Sequence, residues 1–318
     1  MSAGSRKSSD RPQGTWWDVV GVGENSVDHV LRVPALPSIA NATKMPIRSS
    51  THEPGGQVVT ALCTCVAMGL RASYVGAFGS DADGERLRRT LAARGLELGD
   101  SVVRPAANRS AVILVDERNG DRAVMGHRDA ALALAPDMLP RSALTHTRAA
   151  HVDGVDEAAS IAAARMAREA GAQVTCDLET IGARTGELLR ELTVPILAQG
   201  LPEAITGERD PEQALRRLDA PHARLRCVTM GAQGALLLDG DCVYRAAPPR
   251  VDVVDTTGAG DVFRGAFIVA LLRGDGPESI LRFANAAAAL SCTKAGALGG
   301  VPALDTVERL LGGQSSSP

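Results

Sequence analysis

Short β-branched runs alternate with alanine-rich helical runs along most of this chain, and that alternation limits what it can fold into. "DVVGVG" (18–23), "SYVGAFG" (73–79), "RAAHVDG" (148–154), "AQVTCDL" (172–178), "VPILAQ" (194–199) and "RCVTMG" (226–231) read as strands. Between them, "QVVTALCTCVAMGL" (57–70), "DGERLRRTLAARG" (83–95), "EAASIAAARMAREAG" (157–171) and "PEQALRRLDA" (211–220) carry apolar residues at helical spacing. Repeated βα units of this kind predict an α/β fold with a largely parallel central sheet flanked by helices. Ligands of such sheets bind beyond the carboxyl ends of the strands, so the loops after those ends carry most weight.

Two stretches break the pattern. Residues 29–53 and 99–128 look extended and lack helical spacing, and "ERNGDR" sets an Asn-Gly turn between two β-prone runs. Strands that do not fit a helix-covered sheet predict a small β-sheet lid. No repeat or low-complexity linker divides the chain, so residues 17–312 read as one domain between disordered tails at 1–16 and 313–318.

A glycine-rich turn stands out near the end. "RVDVV" leads into "DTTGAGD", and "VFRGAFIVALLRG" then places Val262, Phe263, Ala266, Phe267, Ala270 and Leu271 on one face of a helix. Thr257 or Asp255 could simply cap that helix, but one glycine would then suffice, and each further glycine costs backbone entropy. Gly258, Ala259 and Gly260 instead leave a bare row of backbone N–H groups at a helix N-terminus, which is an anion site. Asp261 would repel a bound anion if it faced it. The conflict disappears if the carboxylate accepts a proton from a second reactant's hydroxyl while a phosphoryl group arrives at the amides.

"DTTGAGDVFRGAF" resembles the C-terminal signature of the ribokinase-like, or PfkB-type, carbohydrate kinase family, and "GGQVVTALCTCVAMGLRASYVGAFGSDADGERL" (55–87) its N-terminal signature. With "GENSVDHV" and "VTMGAQGALL", the likeness covers roughly residues 17–304 in order. It implies a ribokinase-like fold, ATP as phosphoryl donor, magnesium, and a sugar hydroxyl as acceptor. Asp261 is then the catalytic base, and the amides of Gly258, Ala259 and Gly260 are the anion hole. Asp28 matches the aspartate that holds sugar hydroxyls, and Gly55 and Gly56 the double glycine against the sugar. Gln57 and Thr60 fall at polar sugar contacts, although ribokinases typically show Asn where Thr60 stands. Thr229, Gly231 and Gly234 match the turn near the nucleotide, and Asn285 a position approaching adenine. Glu203 matches a glutamate associated with magnesium, but Gly200 stands where the Asn of the usual N-x-x-E belongs. Asp255 and Thr257 match a region where many relatives bind a monovalent cation, making potassium a candidate cofactor.

Lys44, Arg48, Arg104, Arg109 and Arg128 in the two extended stretches are more cations than a neutral sugar needs. They fit either a solvated lid or a carboxylate- or phosphate-bearing sugar, with Arg109 a candidate substrate contact. The same stretches contain no Phe, Tyr or Trp, which disfavours a nucleoside acceptor of the same fold. A catalytically idle sugar- or nucleotide-binding sensor is the alternative from a different class; the acid of the glycine turn argues against it. Exposed strand edges in the lid suggest a homodimer.

Other classes find little support. A formal net charge of -3 and 3% aromatic residues offer nothing to nucleic acid. The longest apolar runs are far shorter than a membrane span, and the polar N-terminus lacks the apolar core of a secretory signal, so a cytoplasmic location is expected. Six cysteines are scattered without zinc-ligand spacing and read as small packing residues. The G-x-G of "GVGENS" has Ser26 where the third glycine of a dinucleotide fingerprint belongs, and no P-loop motif occurs.

Overall fold

The computed structural model describes residues 17–38, 44–118 and 121–314. Its strands and helices run β1 (Trp17–Val22), β2 (Ser26–Val33), β3 (Ser49–Gly55), α1 (Gln57–Ala67), β4 (Ala72–Val75), β5 (Ala77–Gly79), α2 (Ala82–Ala93), β6 (Val102–Arg104), β7 (Ser110–Asp116) and β8 (Arg122–His127). They continue α3 (Arg141–Thr145), β9 (Thr147–Val152), α4 (Glu157–Glu169), β10 (Gln173–Cys176), α5 (Thr185–Glu191), β11 (Ile196–Ala198), α6 (Leu201–Thr206), α7 (Pro211–Arg217), β12 (Leu225–Thr229), β13 (Ala235–Asp239), β14 (Cys242–Ala246), α8 (Ala259–Arg273), α9 (Pro277–Ser291) and α10 (Leu304–Gln314).

The central sheet has the order β4-β1-β9-β10, then β11-β12-β13-β14, the two halves being joined by parallel bridges Thr175–Val194 and Leu178–Leu197. From β4 to β12 every pairing is parallel; β13 and β14 close the edge antiparallel. Alternation along each strand feeds two apolar layers. Val19, Ala149, Cys227 and Leu237 pack under α1, α8 and α9, whereas Val20, Val22, Ala150, Val152, Val228 and Leu236 pack under α4, α5 and α7. A second sheet of order β3-β2-β7-β8 has a small apolar cluster of its own in Ala111, Ile113, Val115 and Val30, while Val27 of β2 reaches into the main core. The α/β sheet and small β-sheet expected from the sequence are therefore both present.

Three local readings need correction. Residues 73–79 form two strands, because the chain breaks at Gly76, where an added methyl would lie 1.9 Å from the Tyr74 hydroxyl and 2.7 Å from the Gly23 carbonyl. β4 then stays beside β1, while β5 pairs with β6, a strand from the stretch assigned to the lid. Helix α8 has no solvent face through its middle: every residue from Val262 to Ala270 is buried, Arg264 included. It lies so close to α1 that a methyl at Gly265 would meet the Ala61 carbonyl at 2.5 Å. Helix α10 runs to Gln314, past the expected end of the domain at 312. The Asn-Gly turn and the segments 1–16 and 315–318 lie outside the described residues.

Candidate active site

Four strand ends and one helix start converge on the candidate site. β1 delivers Gly23, Glu24 and Asn25, β9 delivers Asp153, β10 delivers Asp177, and β12 delivers the turn from Met230. Helix α8 arrives from the other side, with Gly258 as its N-cap in the left-handed conformation (φ 76°). Glycine is required here twice over. A side chain at that φ is strained, and a Cβ would sit 2.6 Å from the Ala297 methyl and 2.9 Å from its Cα. Among the described residues the amides of Gly258 and Gly260 have no protein acceptor, while Ala259 donates a long 3.3 Å bond to the Thr256 carbonyl. Two N–H groups of the expected row are thus open to a ligand.

Asp261 stands in the first turn of α8, its carboxyl enclosed by protein although the residue keeps some exposed surface. Burial pushes its pKa well above the usual carboxylate range. The neighbouring Asp177 pushes the same way, Arg264 opposes, and the exposed Glu179 adds to the rise. Asp177 is itself raised by burial and held down by Arg264. Arg264 Nη2 meets Asp177 Oδ1 at 2.9 Å with both side chains almost wholly buried. One guanidinium beneath the turn therefore serves two carboxyls. His151 lies on the same floor, bonded through Nδ1 to the Thr175 hydroxyl at 2.8 Å; burial first, then Arg264, depress its pKa to about 3.

The expected sugar-side residues also come together. A methyl at Gly55 would lie 2.4 Å from Asp28 Oδ2, and one at Gly56 (φ 106°) would meet the Asn25 Cα at 2.7 Å. Both glycines thus press against the segment that carries Asp28. Asp28 accepts a 2.6 Å bond from the Ser26 hydroxyl, and burial raises its pKa. Gln57 opens α1 with its Nε2 buried and unpartnered. Thr60 lies deeper: it is fully buried, its hydroxyl lacks a partner, and its methyl would stand 3.5 Å from a Cβ at Gly258. A network fixes this floor. Asn25 Nδ2 donates to the Tyr74 hydroxyl (2.9 Å) and the Ala77 carbonyl (2.8 Å), and Asn108 Nδ2 donates to Asn25 Oδ1 (3.0 Å).

Arg109 does not offer a free charge. Glu24 lies between Arg109 and Arg128 at 2.6 Å from each, and Arg128 also reaches Asp156 at 2.6 Å. Below them Asp153 is buried and accepts from the amides of Glu24 (2.6 Å) and Val155 (3.0 Å). Burial pushes its pKa up to about 7.

On the other flank, Thr229 ends β12 with its hydroxyl 3.5 Å from the Leu197 carbonyl, and Gly231 and Gly234 bound the short 3₁₀ turn that follows. Gly234 abuts the Ala246 carbonyl, which accepts a 2.9 Å bond from Asn285 Nδ2. The donor of Asn285 thus faces protein. Glu203 on α6 is half-exposed, with Arg209 3.8 Å away. Asp255 and Thr257 are bonded to each other and to Arg122 of β8. A cavity of about 380 Å³, bordered by Arg216, Arg224 and Arg226, opens at the opposite ends of β12 and β13, where Glu212 and Asp239 already pair two of the arginines.

The residues missed from sequence are Asp177, Arg264, Asp153, Glu24 and Arg122. Asp153 and Asp177 carried the same signal, each an acid just past a strand of the parallel sheet, and Glu24 follows β1 in a similar way.

A model of the pfkB family carbohydrate kinases matches residues 18–304. The chain belongs to that family. An ATP-dependent ribose-1-phosphate kinase from Halopiger xanaduensis is 29% identical over 92% of this chain and 97% of its own. Fructokinase-1 of Oryza sativa subsp. japonica is 27% identical over the same shares. The solved ribokinase of Thermotoga maritima superposes with a TM-score of 0.81 at 24% identity, covering 93% of this chain and all of that one, which supports the fold. As a member of the family the chain is a phosphotransferase with a hydroxyl acceptor. No helix among the described residues is long and apolar enough to cross a membrane.

Proposed function

We propose that the protein transfers the γ-phosphoryl group of ATP to a hydroxyl of a small neutral sugar. The observation that carries this reading is Asp261 placed in the same first turn of α8 as the open amides of Gly258 and Gly260. Asp261 accepts the hydrogen bond of the acceptor hydroxyl and takes its proton as the new oxygen–phosphorus bond forms and the bond from the γ-phosphorus to the β–γ bridging oxygen breaks, releasing ADP. The amides donate to the transferred group, whose charge lies on its equatorial oxygens. Asp28 and the Gly55–Gly56 backbone hold the remaining hydroxyls, and the small sheet acts as a lid that excludes water. Thr229, Gly231 and Gly234 form the nucleotide side.

Among the described residues no three His, Cys, Asp or Glu side chains cluster closely enough to cage a metal ion. Such a surround fits magnesium carried by nucleotide phosphates, with Glu179 and Glu203 as outer carboxylates; the ion would neutralise phosphate charge. The neutral acceptor is favoured because Glu24 already pairs Arg109 and Arg128. ADP release against a panel of fructose, ribose, ribose 1-phosphate and adenosine tests this. The reading predicts turnover with a free sugar. Fastest turnover with ribose 1-phosphate or adenosine would replace the acceptor class, and ADP release indifferent to every acceptor would overturn the reading.

A further inference from the structure

Arg122 opens β8 of the small sheet, yet its guanidinium reaches the loop ahead of the glycine turn, 133 residues away in sequence. Nη1 donates to Thr257 Oγ1 and Nη2 to Asp255 Oδ1, each at 2.5 Å, with the two charged side chains 30% and 13% exposed. Asp255 Oδ1 also accepts from the Thr257 amide (2.9 Å) and hydroxyl (2.7 Å), while Oδ2 accepts from the Gly296 amide at 3.0 Å. Both oxygens of the acid, and that of the threonine, already receive hydrogen. A monovalent cation seeking those oxygens as ligands would have to displace these donors and sit against a tethered positive charge. The residues here therefore do not fit the potassium site that the family resemblance implies for Asp255 and Thr257.

We propose that Arg122 takes the place of a monovalent cation: it clamps Asp255 and Thr257, fixes the turn that carries the open amides, and leaves the enzyme independent of potassium. The clamp also ties that turn to the small sheet. A second strand reaches the partner loop, since Glu53 Oε2 of β3 would stand 2.8 Å from a methyl at Gly296. Arg122 is thus a positioning residue, acting on the amides through Asp255 and Thr257. This rests on reading those amides as the phosphoryl site, but the clamp itself can be tested without turnover.

The experiment compares the whole protein in potassium, sodium and N-methylglucamine chloride at matched ionic strength, so that screening is constant. The melting temperature without substrates and kcat with the best acceptor are read for wild type, Arg122→Ala and Arg122→Lys. Wild type should show the same Tm and kcat in all three salts. Arg122→Ala should lose about ten- to a hundredfold in kcat, as expected for losing bonds to a charged partner. It should also acquire a potassium-specific rise in Tm and partial recovery of activity in potassium or added guanidinium; Arg122→Lys should fall between. A wild-type Tm or kcat that rises specifically in potassium would overturn the proposal, as would an Arg122→Ala protein whose Tm ignores the cation. Should Arg122→Ala not fold, wild type and Arg122→Lys decide by the same criteria. If no acceptor supports turnover, the functional reading fails while the Tm comparison still judges the clamp.

Discussion

Replacing Arg264 with Met keeps the volume of a long side chain on α8 but removes the buried cation beneath the glycine turn. In the native protein Arg264 lies 2.9 Å from Asp177 with 4% and 1% of the two side chains exposed, and Asp261 is the next carboxyl along. Breaking a buried pair from one side costs about 3–5 kcal/mol, because the surviving charge loses its compensation without regaining water. The two carboxyls can escape that cost by binding protons. Both already have raised pKa values, and losing Arg264 raises them further. The folded variant then holds more protons than folded wild type. Its deficit should therefore grow with pH, by about 1.4 kcal/mol per pH unit for each extra proton retained. We expect a deficit of roughly 2 kcal/mol near pH 5.5 that reaches about 5 near pH 8. Urea unfolding followed by circular dichroism across that range measures it directly. Arg264→Met combined with Asp177→Asn should be less damaging than Arg264→Met alone, and the kcat–pH profile of the single variant should move to higher pH. A deficit below about 1 kcal/mol, or one that is flat with pH, would show that Arg264 does not compensate these carboxyls.

Three further outcomes follow from the geometry. Gly258→Ala forces a left-handed alanine, costing about 1 kcal/mol, and its methyl would lie 2.6 Å from that of Ala297; displaced amides should lower kcat by about a hundred- to a thousandfold, and an unchanged kcat would remove the amides from the mechanism. Asp153 is protonated more readily folded than unfolded, so its contribution is complete below its ordinary pKa of 3.8 and is lost as pH rises through about 7. That shift is worth on the order of 4 kcal/mol, and Asp153→Asn should flatten the stability–pH slope in that window even if the variant is less stable overall; an unaltered slope in chemical melts would refute it. Asp28→Asn should reduce kcat/KM for the sugar by about ten- to a hundredfold while leaving ATP affinity unaltered, as judged by calorimetry, and a loss falling on ATP instead would move Asp28 to the nucleotide side.

Much of this architecture was legible because it rests on local patterns. The change from β-branched to alanine-rich runs located the central sheet, and the Gly258–Asp261 turn announced itself because it breaks the ordinary rules of helix capping. What stayed hidden depends on distant segments meeting. Arg264 falls off the apolar face formed by Val262, Phe263, Ala266 and Phe267 and so reads as a solvent-side charge, and only the burial of α8 between α1 and α9 shows a guanidinium enclosed. Asp177 and Asp261 share a pocket across a long stretch of chain, and no spacing rule connects them. Arg109 looked like an anion-binding charge because its partner Glu24 lies far upstream on another strand end. Gly76 divides a run that otherwise has every feature of a single strand, since what it abuts is the Gly23 carbonyl and the ring of Tyr74.

The most direct measurement is sugar-dependent phosphoryl transfer by Asp261→Asn beside wild type, with nucleotide affinity determined on the same preparations. Asparagine preserves shape but cannot accept the acceptor's proton, so kcat should fall by about 10²- to 10⁴-fold. Nucleotide affinity should hold or tighten, because a carboxyl beside the phosphate site is gone. Sugar-dependent turnover in the variant close to that of wild type would contradict the assignment of Asp261 as the base.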